Sequence, residues 1–330
     1  MLKRTLGKSK LKVSALGMGC WAIGGPWTWA QPGREAYPAG WGNTDDDESI
    51  RAIHAAMDMG VNFFDTAANY GAGHSEVVLG RALKGKRDKV VIATKFGHIV
   101  NEKEKTVYGD RDQIIKNVRI DAENSLRRLQ TDFIDIYQLH DGGYDPTLAL
   151  ELQSVLEELV SAGEIRWYGW STDIVDSARA FASGEHCTSI QFRLNAIYDS
   201  LRMREVCADF DLAGINKDPL NKGILTGKFN SRSTFPENDI RSRENFSDPE
   251  IVKRLKIVDE LREVLTSDGR TMAQGALAYI WALDARMVPI PGFKSVQQVE
   301  ENAGVMQLGP LTRLQLNEIQ AIVAKYELNS

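Results

Sequence analysis

The chain has 330 residues and a formal net charge of −5, with 43% hydrophobic, 26% charged and 8% aromatic residues. This is ordinary globular composition, which excludes disorder, collagen-like repeats and coiled coils. The near-balanced charge and the lack of a long lysine/arginine tract argue against a nucleic-acid partner.

In chain order, residues 2–13 read as a small hairpin with Gly7 in its turn. The run VSALGMGCW (13–21) is strand-like. Residues 47–59 carry apolar side chains at helical spacing, with Gly60 where a C-terminal cap is expected. VNFFD (61–65) reads as a strand, and 75–85 as a helix with Ser75 as its N-cap and Gly85 after its end. KVVIATK (89–95) is a strand, 110–129 a long helix starting at Asp110, FIDIYQL (133–139) a strand and 147–163 a helix. EIRWYGWS (164–171) is a strand, with a helix near 173–182. TSIQFRL (188–194) is a strand, with a short helix near 201–209. LAGIN (212–216) is a strand, followed by a polar loop over about 229–248 and helices at 249–267 and 271–283. MVPIPG (287–292) is the last strand, before helices near 295–303 and 310–325.

About eight strand–helix units without a low-complexity linker imply a parallel sheet with helices outside. Eight units in this length fit a (β/α)8 TIM barrel, with an N-terminal hairpin and extra C-terminal helices, better than an open doubly wound sheet. No boundary for a second domain is visible, so 1–330 reads as one domain. The long loops near 22–44, 97–109 and 217–248 all follow strands and belong at the C-terminal face, where barrel active sites are built.

The longest apolar stretches fall short of the roughly 18 residues of a membrane helix, so no membrane partner is expected. The opening MLKRTLGKSKLKVS lacks the apolar run of a secretory signal. Three cysteines (Cys20, Cys187, Cys207) are too few for a disulfide framework and suit a reducing cytoplasm.

Several motifs fail on context. Gly17-Met18-Gly19-Cys20-Trp21-Ala22 matches a loose dinucleotide fingerprint, but IGGPWTWAQPG follows it and cannot start the required helix. GILTGK (223–228) is one residue short of a phosphate loop and is followed by Phe229. The histidines at 54, 74, 98, 140 and 186 lack a metal-ligand pattern, and no metal is expected. No Gly-x-Ser-x-Gly elbow is present.

Four polar residues stand at or just after the ends of successive strands: Asp65, Tyr70, Lys95 and His140. In a barrel these strand ends converge on one mouth. Singly, each has an ordinary reading as a helix cap, a rim aromatic, a snorkelling lysine or a structural histidine. Together they suit one reaction. A phenol serves as proton donor to a developing alkoxide when a nearby ammonium lowers its pKa. Lys95 supplies that charge, Asp65 holds Lys95, and His140 orients the carbonyl oxygen. Nothing supplies a nucleophile, so the group fits carbonyl reduction with a borrowed hydride.

These residues lie in stretches that resemble the aldo-keto reductases over nearly the whole chain. The matching runs are LGKSKLKVSALGMGCW, GVNFFDTAANYGAGHSEVVLGRAL, VIATKFG, SLRRLQTDFIDIYQLH, GEIRWYGWS, PLNKGILTGK and IPGFKSVQQVEENAG. The last places the chain near the bacterial branch whose cofactor loop reads Ile-Pro-Gly. The resemblance implies a (β/α)8 barrel binding NADP(H) in extended form, with Asp65, Tyr70, Lys95 and His140 as the catalytic tetrad. It implies that Ser171 and Gln191 grip the nicotinamide carboxamide, with Thr172 where relatives carry Asn. The run Asn216-Lys217-Asp218-Pro219-Leu220 stands where many relatives have a stacking ring. Pro219, Leu220, Gly223 and Leu225 fall where the family's backbone wraps the pyrophosphate. Gly19, Cys20 and Trp21 border the same groove.

IPGFKS leads into a helix starting near Ser295. Gly292 permits close backbone approach, free N–H groups at the helix start suit a phosphate, and Lys294 is placed to pair with a 2′-phosphate. Gln298, Glu301 and Asn302 share one side of that helix. The family's equivalents hold the adenosine end, and its common arginine is Gln298 here. Trp27, Trp29, Tyr37 and Trp41 crowd the first loop and, with Trp21, Tyr70 and His140, wall a pocket for a small carbonyl or sugar substrate. The chain reads as a monomer or weak homo-oligomer. Oxidation of a sugar or polyol is the main alternative. A Schiff-base or isomerase barrel and a non-catalytic nucleotide sensor are the other two.

Overall fold

A computed structural model describes residues 2–326. Eight parallel strands follow one another in sequence order: β1 (Met18–Gly19), β2 (Phe63–Asp65), β3 (Val91–Phe96), β4 (Ile134–Leu139), β5 (Ile165–Ser171), β6 (Cys187–Arg193), β7 (Ala213–Lys217) and β8 (Met287–Pro289). The two edges of the sheet meet. The Gly17 and Gly19 N–H groups donate to the carbonyls of Pro289 and Pro291, each at 3.0 Å, and Gly19 bridges Gly292 in parallel. That seam closes a (β/α)8 barrel and removes the open-sheet alternative.

Helices α1 (Asp46–Asp58), α2 (His74–Ala82), α3 (Ile114–Leu129), α4 (Pro146–Ser161), α5 (Val175–Phe181) and α6 (Leu201–Asp209) follow the first six strands in turn. Between β7 and β8 the chain makes α7 (Pro249–Leu265) and α8 (Met272–Leu283), and α9 (Val296–Leu308) and α10 (Arg313–Val323) come last. Among the described residues, no helix is long and apolar enough to cross a membrane.

Alternation along the strands sorts the core into two parts. Phe63, Val91, Ala93, Ile136, Ala213, Ile215 and Val288 point inward and form one apolar cluster. Phe64, Ile92, Tyr137, Ile190 and Phe192 point outward and pack with the helices. The N-terminal hairpin (Lys3–Leu6 with Leu11–Ser14) plugs the bottom, adding Leu6 and Val13 to the inner cluster. The Thr188 hydroxyl donates to the Leu6 carbonyl at 2.8 Å and so ties the plug to β6.

The structure corrects several local expectations. The strand-like run 13–21 contributes only Met18–Gly19 to the barrel. Asp110 caps a short 3-10 turn (Arg111–Gln113), and the α-helix begins at Ile114. Ser75 is not an N-cap: α2 begins after Gly73, and the Ser75 hydroxyl donates to the Cys20 carbonyl at 2.7 Å. The loops over the mouth hold a second sheet. Its order is Tyr37–Pro38, Thr28–Trp29, Thr106–Tyr108, Ile99–Asn101. Trp27, Ala39, Ala72 and Val107 form its own small core.

The seam leaves no room for a side chain. A Cβ on Gly19 meets the Ile290 carbonyl oxygen at 2.6 Å. Gly19→Ala is therefore expected to destabilise the barrel by about 1–3 kcal/mol, as overpacking does. The denaturant midpoint of the variant against the parent measures it, and an unchanged midpoint contradicts the seam.

Candidate active site

The inward alternation continues upward into a polar layer. Asp65 is the last residue of β2 and Lys95 the next to last of β3, two residues beyond Phe63 and Ala93 on the same inner face. Both are buried, at 1% and 0% exposure. The Lys95 ammonium donates to Asp65 Oδ1 at 2.5 Å, to the Thr66 carbonyl at 2.8 Å and to Tyr70 Oη at 3.2 Å. Asp65 Oδ2 accepts from Gln191 Nε2 at 2.7 Å and Gln138 Nε2 at 3.2 Å. Gln138 is a member of this layer that the sequence reading missed. The signal was present: Gln138 lies two residues after the inward Ile136 and two before His140.

Tyr70 sits in the tight turn after β2, where backbones touch. A Cβ on Gly71, whose φ is +63°, falls 2.1 Å from the Gly24 carbonyl oxygen, so only glycine allows this approach. The Trp21 ring stacks on Tyr70 at 5.6 Å and 15°, and the His140 ring meets it edge-on at 5.7 Å. His98, 5.2 Å from His140, and Trp29, edge-on to His98 at 5.0 Å, extend the wall.

The electrostatics differ in one respect from the sequence expectation. Burial raises the Tyr70 pKa, and the opposing Lys95 ammonium does not outweigh it. Asp65, in contact with Lys95, adds to the rise. Burial alone lowers the Lys95 pKa, but Asp65 and Tyr70 reverse this and hold it above its ordinary value. Burial, then the nearby Lys95 and His98, keep His140 well below the usual imidazole range. Tyr70 is thus a protonated phenol and His140 a neutral ring at pH 7. Cys20 is fully buried and its thiol pKa is raised by burial, so it is no nucleophile.

In front of this group lies a cavity of about 830 Å³ along the C-terminal ends of the strands. Gly19, Trp21, Trp27, Trp29, Trp41, Asp65, Tyr70, His140, Ser171 and Gln191 line it. Lys95 lies beneath. The Tyr70–Trp21 stack runs on to Trp41, edge-on to Trp21 at 5.3 Å, and the Trp41 carbonyl accepts from Lys294. The cavity therefore stretches continuously from the phenol to the start of α9.

The comparisons with known proteins agree with this geometry. The model of the aldo/keto reductase family matches residues 15–324. The chain belongs to the aldo/keto reductase family. It is 28% identical to the NADP(+) aldo-keto reductase yakc of Schizosaccharomyces pombe, over 90% of this chain and 84% of that protein. It is 30% identical to the NADH-specific methylglyoxal reductase of Escherichia coli, over 93% and 94%. The solved glycerol dehydrogenase AKR11B4 from Gluconobacter oxydans superimposes with a TM-score of 0.80 at 31% identity, covering 99% of this chain and 97% of that one.

The residues that match the family's motifs fall into two groups. Lys217, Asp218, Pro219, Leu220, Gly223, Gly292, Lys294, Gln298, Glu301 and Asn302 line the cavity. Cys20, Thr172, Asn216 and Leu225 are buried off its wall. Thr172 donates its hydroxyl to the Gly142 carbonyl at 2.7 Å, and Asn216 faces outward with Nδ2 3.5 Å from Met287 Sδ. Lys217 pairs with Asp173 at 2.9 Å.

The start of α9 also departs from expectation. Its N–H groups are largely taken. Val296 donates to Glu48 Oε1 at 2.9 Å, Gln298 to Ser295 Oγ at 3.3 Å, and the Lys294 N–H to Gln298 Oε1 at 2.8 Å. Arg241, missed in the sequence, lines the cavity here. It pairs with Asp239 at 2.7 Å and lies over the Trp41 ring at 4.8 Å. Among the described residues, one group has metal-ligand spacing: Glu157, Glu185 and His186, where Glu157 and His186 pair at 2.5 Å. It adjoins the start of β6, at the opposite end of the barrel from the mouth.

Removing the Asp65 charge strands a buried ammonium. Asp65→Asn is expected to cost about 3–5 kcal/mol of stability near neutral pH. Without its partner, burial depresses the folded-state Lys95 pKa below the unfolded value of about 10.4. The unfolded chain then binds the extra proton, so the deficit narrows as pH rises towards that value. Thermal unfolding of variant and parent from pH 7 to 10 checks both sign and slope.

Proposed function

We propose that this protein is an NADP(H)-dependent oxidoreductase that reduces aldehyde or ketone groups to alcohols, with Tyr70 as general acid. The observation that carries the reading is the Lys95 ammonium 3.2 Å from Tyr70 Oη, with Asp65 behind it and the cavity in front. Lys95 has three N–H donors and all three are in use, one on the phenol oxygen. Because Tyr70 Oη accepts from Lys95, its own proton is free to point into the cavity.

The nicotinamide supplies the hydride in reduction and takes it in oxidation. The carbonyl carbon gains that hydride, and the carbonyl oxygen takes the Tyr70 proton to complete the alcohol. Lys95 then stands beside the phenolate and stabilises it. His140, neutral, donates an N–H to the same oxygen and orients it. The aromatic wall of Trp21, Trp27 and Trp29 excludes water from the developing alkoxide.

The far end of the cavity fits the rest of a dinucleotide. Lys222, Lys228, Arg241 and Lys294 line it and suit phosphates, and Gln298, Glu301 and Asn302 offer hydrogen bonds to an adenosine. Ser171, Gln191 and Lys217 lie on the β5–β7 side of the cavity and suit the nicotinamide carboxamide. The yeast relative's NADP(+) supports the 2′-phosphorylated cofactor. The Escherichia coli relative is named as NADH-specific, so relatives of this chain differ in cofactor. The structural likeness to a glycerol dehydrogenase favours a second reading, in which the same residues oxidise a polyol with Tyr70 as the base. We read residues 1–330 as one barrel domain acting in the cytoplasm as a monomer or weak homo-oligomer. The three buried, unpaired cysteines support the reducing compartment.

Tyr70→Phe removes the proton and leaves the fold. NADPH oxidation with an aldehyde is expected to fall by about 10²–10⁴, while NADPH binding followed by fluorescence persists. Turnover that survives the substitution removes Tyr70 from the chemistry. The raised Tyr70 pKa fixes the pH dependence. Reduction, which needs the phenol, stays flat through neutral pH and falls only above the ordinary tyrosine value of about 10. Oxidation, which needs the phenolate, rises with pH over the same range. Rate profiles in both directions test the opposite signs.

Glu48 places a carboxylate at the start of α9, beside the loop that carries Lys294. Glu48→Gln is expected to improve NADPH over NADH in KM by about threefold, the size of a charge at a helix end. An unchanged ratio places the 2′-phosphate elsewhere.

A further inference from the structure

Glu157, Glu185 and His186 lie away from the mouth, and none of them lines the cavity. Glu157 comes from α4, and the other two come from the segment between α5 and β6. One carboxylate oxygen from each glutamate and a ring nitrogen of the histidine lie within 4.8 Å of one another. Glu157 is held from behind: its Oε1 accepts from Tyr168 Oη at 2.6 Å and from the His186 N–H at 3.1 Å. That leaves Oε2 turned to the imidazole, 2.5 Å from His186 Nδ1.

The segment that carries the other two is held as well. The Gly184 backbone packs on the same Tyr168 hydroxyl, where a Cβ would lie 2.2 Å from Oη. The Lys8 ammonium donates to the carbonyls of Ala182 and Gly184 at 3.0 and 3.1 Å. The Trp167 ring, 5.2 Å from that of His186, flanks the imidazole. Glu185 is different. It is exposed, and among the described residues its carboxylate bonds to nothing. Two ligand atoms are thus oriented in advance and the third is free to swing in. An imidazole nitrogen with two carboxylate oxygens is a donor set that zinc takes, at about 2.0–2.2 Å and usually in a tetrahedron. Magnesium and calcium prefer all-oxygen shells of more ligands.

We propose that Glu157, Glu185 and His186 form a zinc-binding site, with water completing the shell. The ion takes the place of the proton between Nδ1 and Oε2, and the ring keeps one proton at Nε2 as a neutral ligand. The two carboxylates match the charge of the ion. Bound there, zinc staples α4 to the start of β6 at the end of the barrel away from the cavity. Its role is structural, and it takes no part in the proton or hydride transfer.

Calorimetric titration of the intact, metal-stripped protein with zinc sulfate tests the site, with Glu157→Gln, Glu185→Gln and His186→Gln alongside. The wild type is expected to bind one zinc, and its thermal midpoint to rise as zinc is added. Magnesium chloride is expected to give neither effect. Each variant removes a ligand and is expected to weaken zinc binding by more than the roughly tenfold that losing an outer-shell partner costs. Glu185→Gln is the decisive variant. Its side chain supports nothing in the fold, so its zinc-free midpoint stays at that of the parent while the zinc-induced rise is lost. A wild type that binds no zinc at millimolar concentration overturns the proposal and leaves Glu157 and His186 as an ion pair between α4 and β6. Zinc binding of unchanged affinity in Glu185→Gln overturns it too, because the ion then sits elsewhere or lacks the third ligand. A midpoint raised equally by magnesium also overturns it. NADPH turnover is not the readout, so each of these outcomes leaves the oxidoreductase reading standing.

Discussion

The site depends on one buried ion pair. A lysine with no exposed surface is tolerated only where its charge is matched and its protons are all placed. Lys95 meets both demands: Asp65 matches the charge, and Asp65, Thr66 and Tyr70 take the three protons. Asp65 is in turn held by two carboxamides, Gln138 and Gln191. The result is a stiff polar layer in which the phenol oxygen has a single available role towards the cavity, that of donor. A freely moving ammonium in water would solvate the phenol weakly. This one cannot turn away, and the dry surroundings strengthen what it does.

That layer is built by strand parity and little else. Phe63 and Asp65, Ala93 and Lys95, Ile136 and Gln138 are successive inward positions on β2, β3 and β4, apolar below and polar above. The apolar layer, plugged from beneath by Leu6 and Val13 of the hairpin, seals the bottom of the barrel. Parity also made the site legible in the sequence. Asp65, Lys95 and His140 could be picked out because each stands at the end of a strand-like run, and Tyr70 because it follows Asp65 closely. Gln138 escaped notice since it is embedded in its run and looks like a strand residue. Asn216 and Thr172 stand in matched motifs, yet both are buried off the cavity wall.

The mouth was less legible, for a physical reason. Its sheet is made of strands two or three residues long, too short to carry an alternating pattern, and joins Thr28 and Trp29 of one loop to Thr106 and Val107 of another, far apart in sequence. Thr28 and Trp29 pair with Thr106 and Val107 because Trp27 and Val107 need a shared core once the barrel has brought the loops together. No local signal encodes that. Ser75 failed in the same way: serine before an apolar run reads as a cap, yet its hydroxyl reaches back to the Cys20 carbonyl and Thr66, bracing β1 and β2 against α2.

The beginning of α9 shows how a local rule gives way to its surroundings. Four free N–H groups at a helix start are a ready anion site. Here Glu48 from α1, Ser295 and the Gln298 side chain have satisfied donors there already. A phosphate seated at this end of the cavity therefore has to be held by side-chain cations more than by backbone. Those cations are engaged as well: Arg241 with Asp239, Lys222 with Glu244, Lys228 with Glu301. Lys294, bonded to a backbone carbonyl and not to a carboxylate, is the cation that gives up least to turn towards a new anion. Burial lowers its pKa, a strain that an incoming phosphate relieves. Binding at this end is thus an exchange of one set of ion pairs for another, and such exchanges discriminate by small differences. With the dinucleotide placed as proposed above, a single carboxylate such as Glu48 tilts the choice between two cofactors that differ by one phosphate.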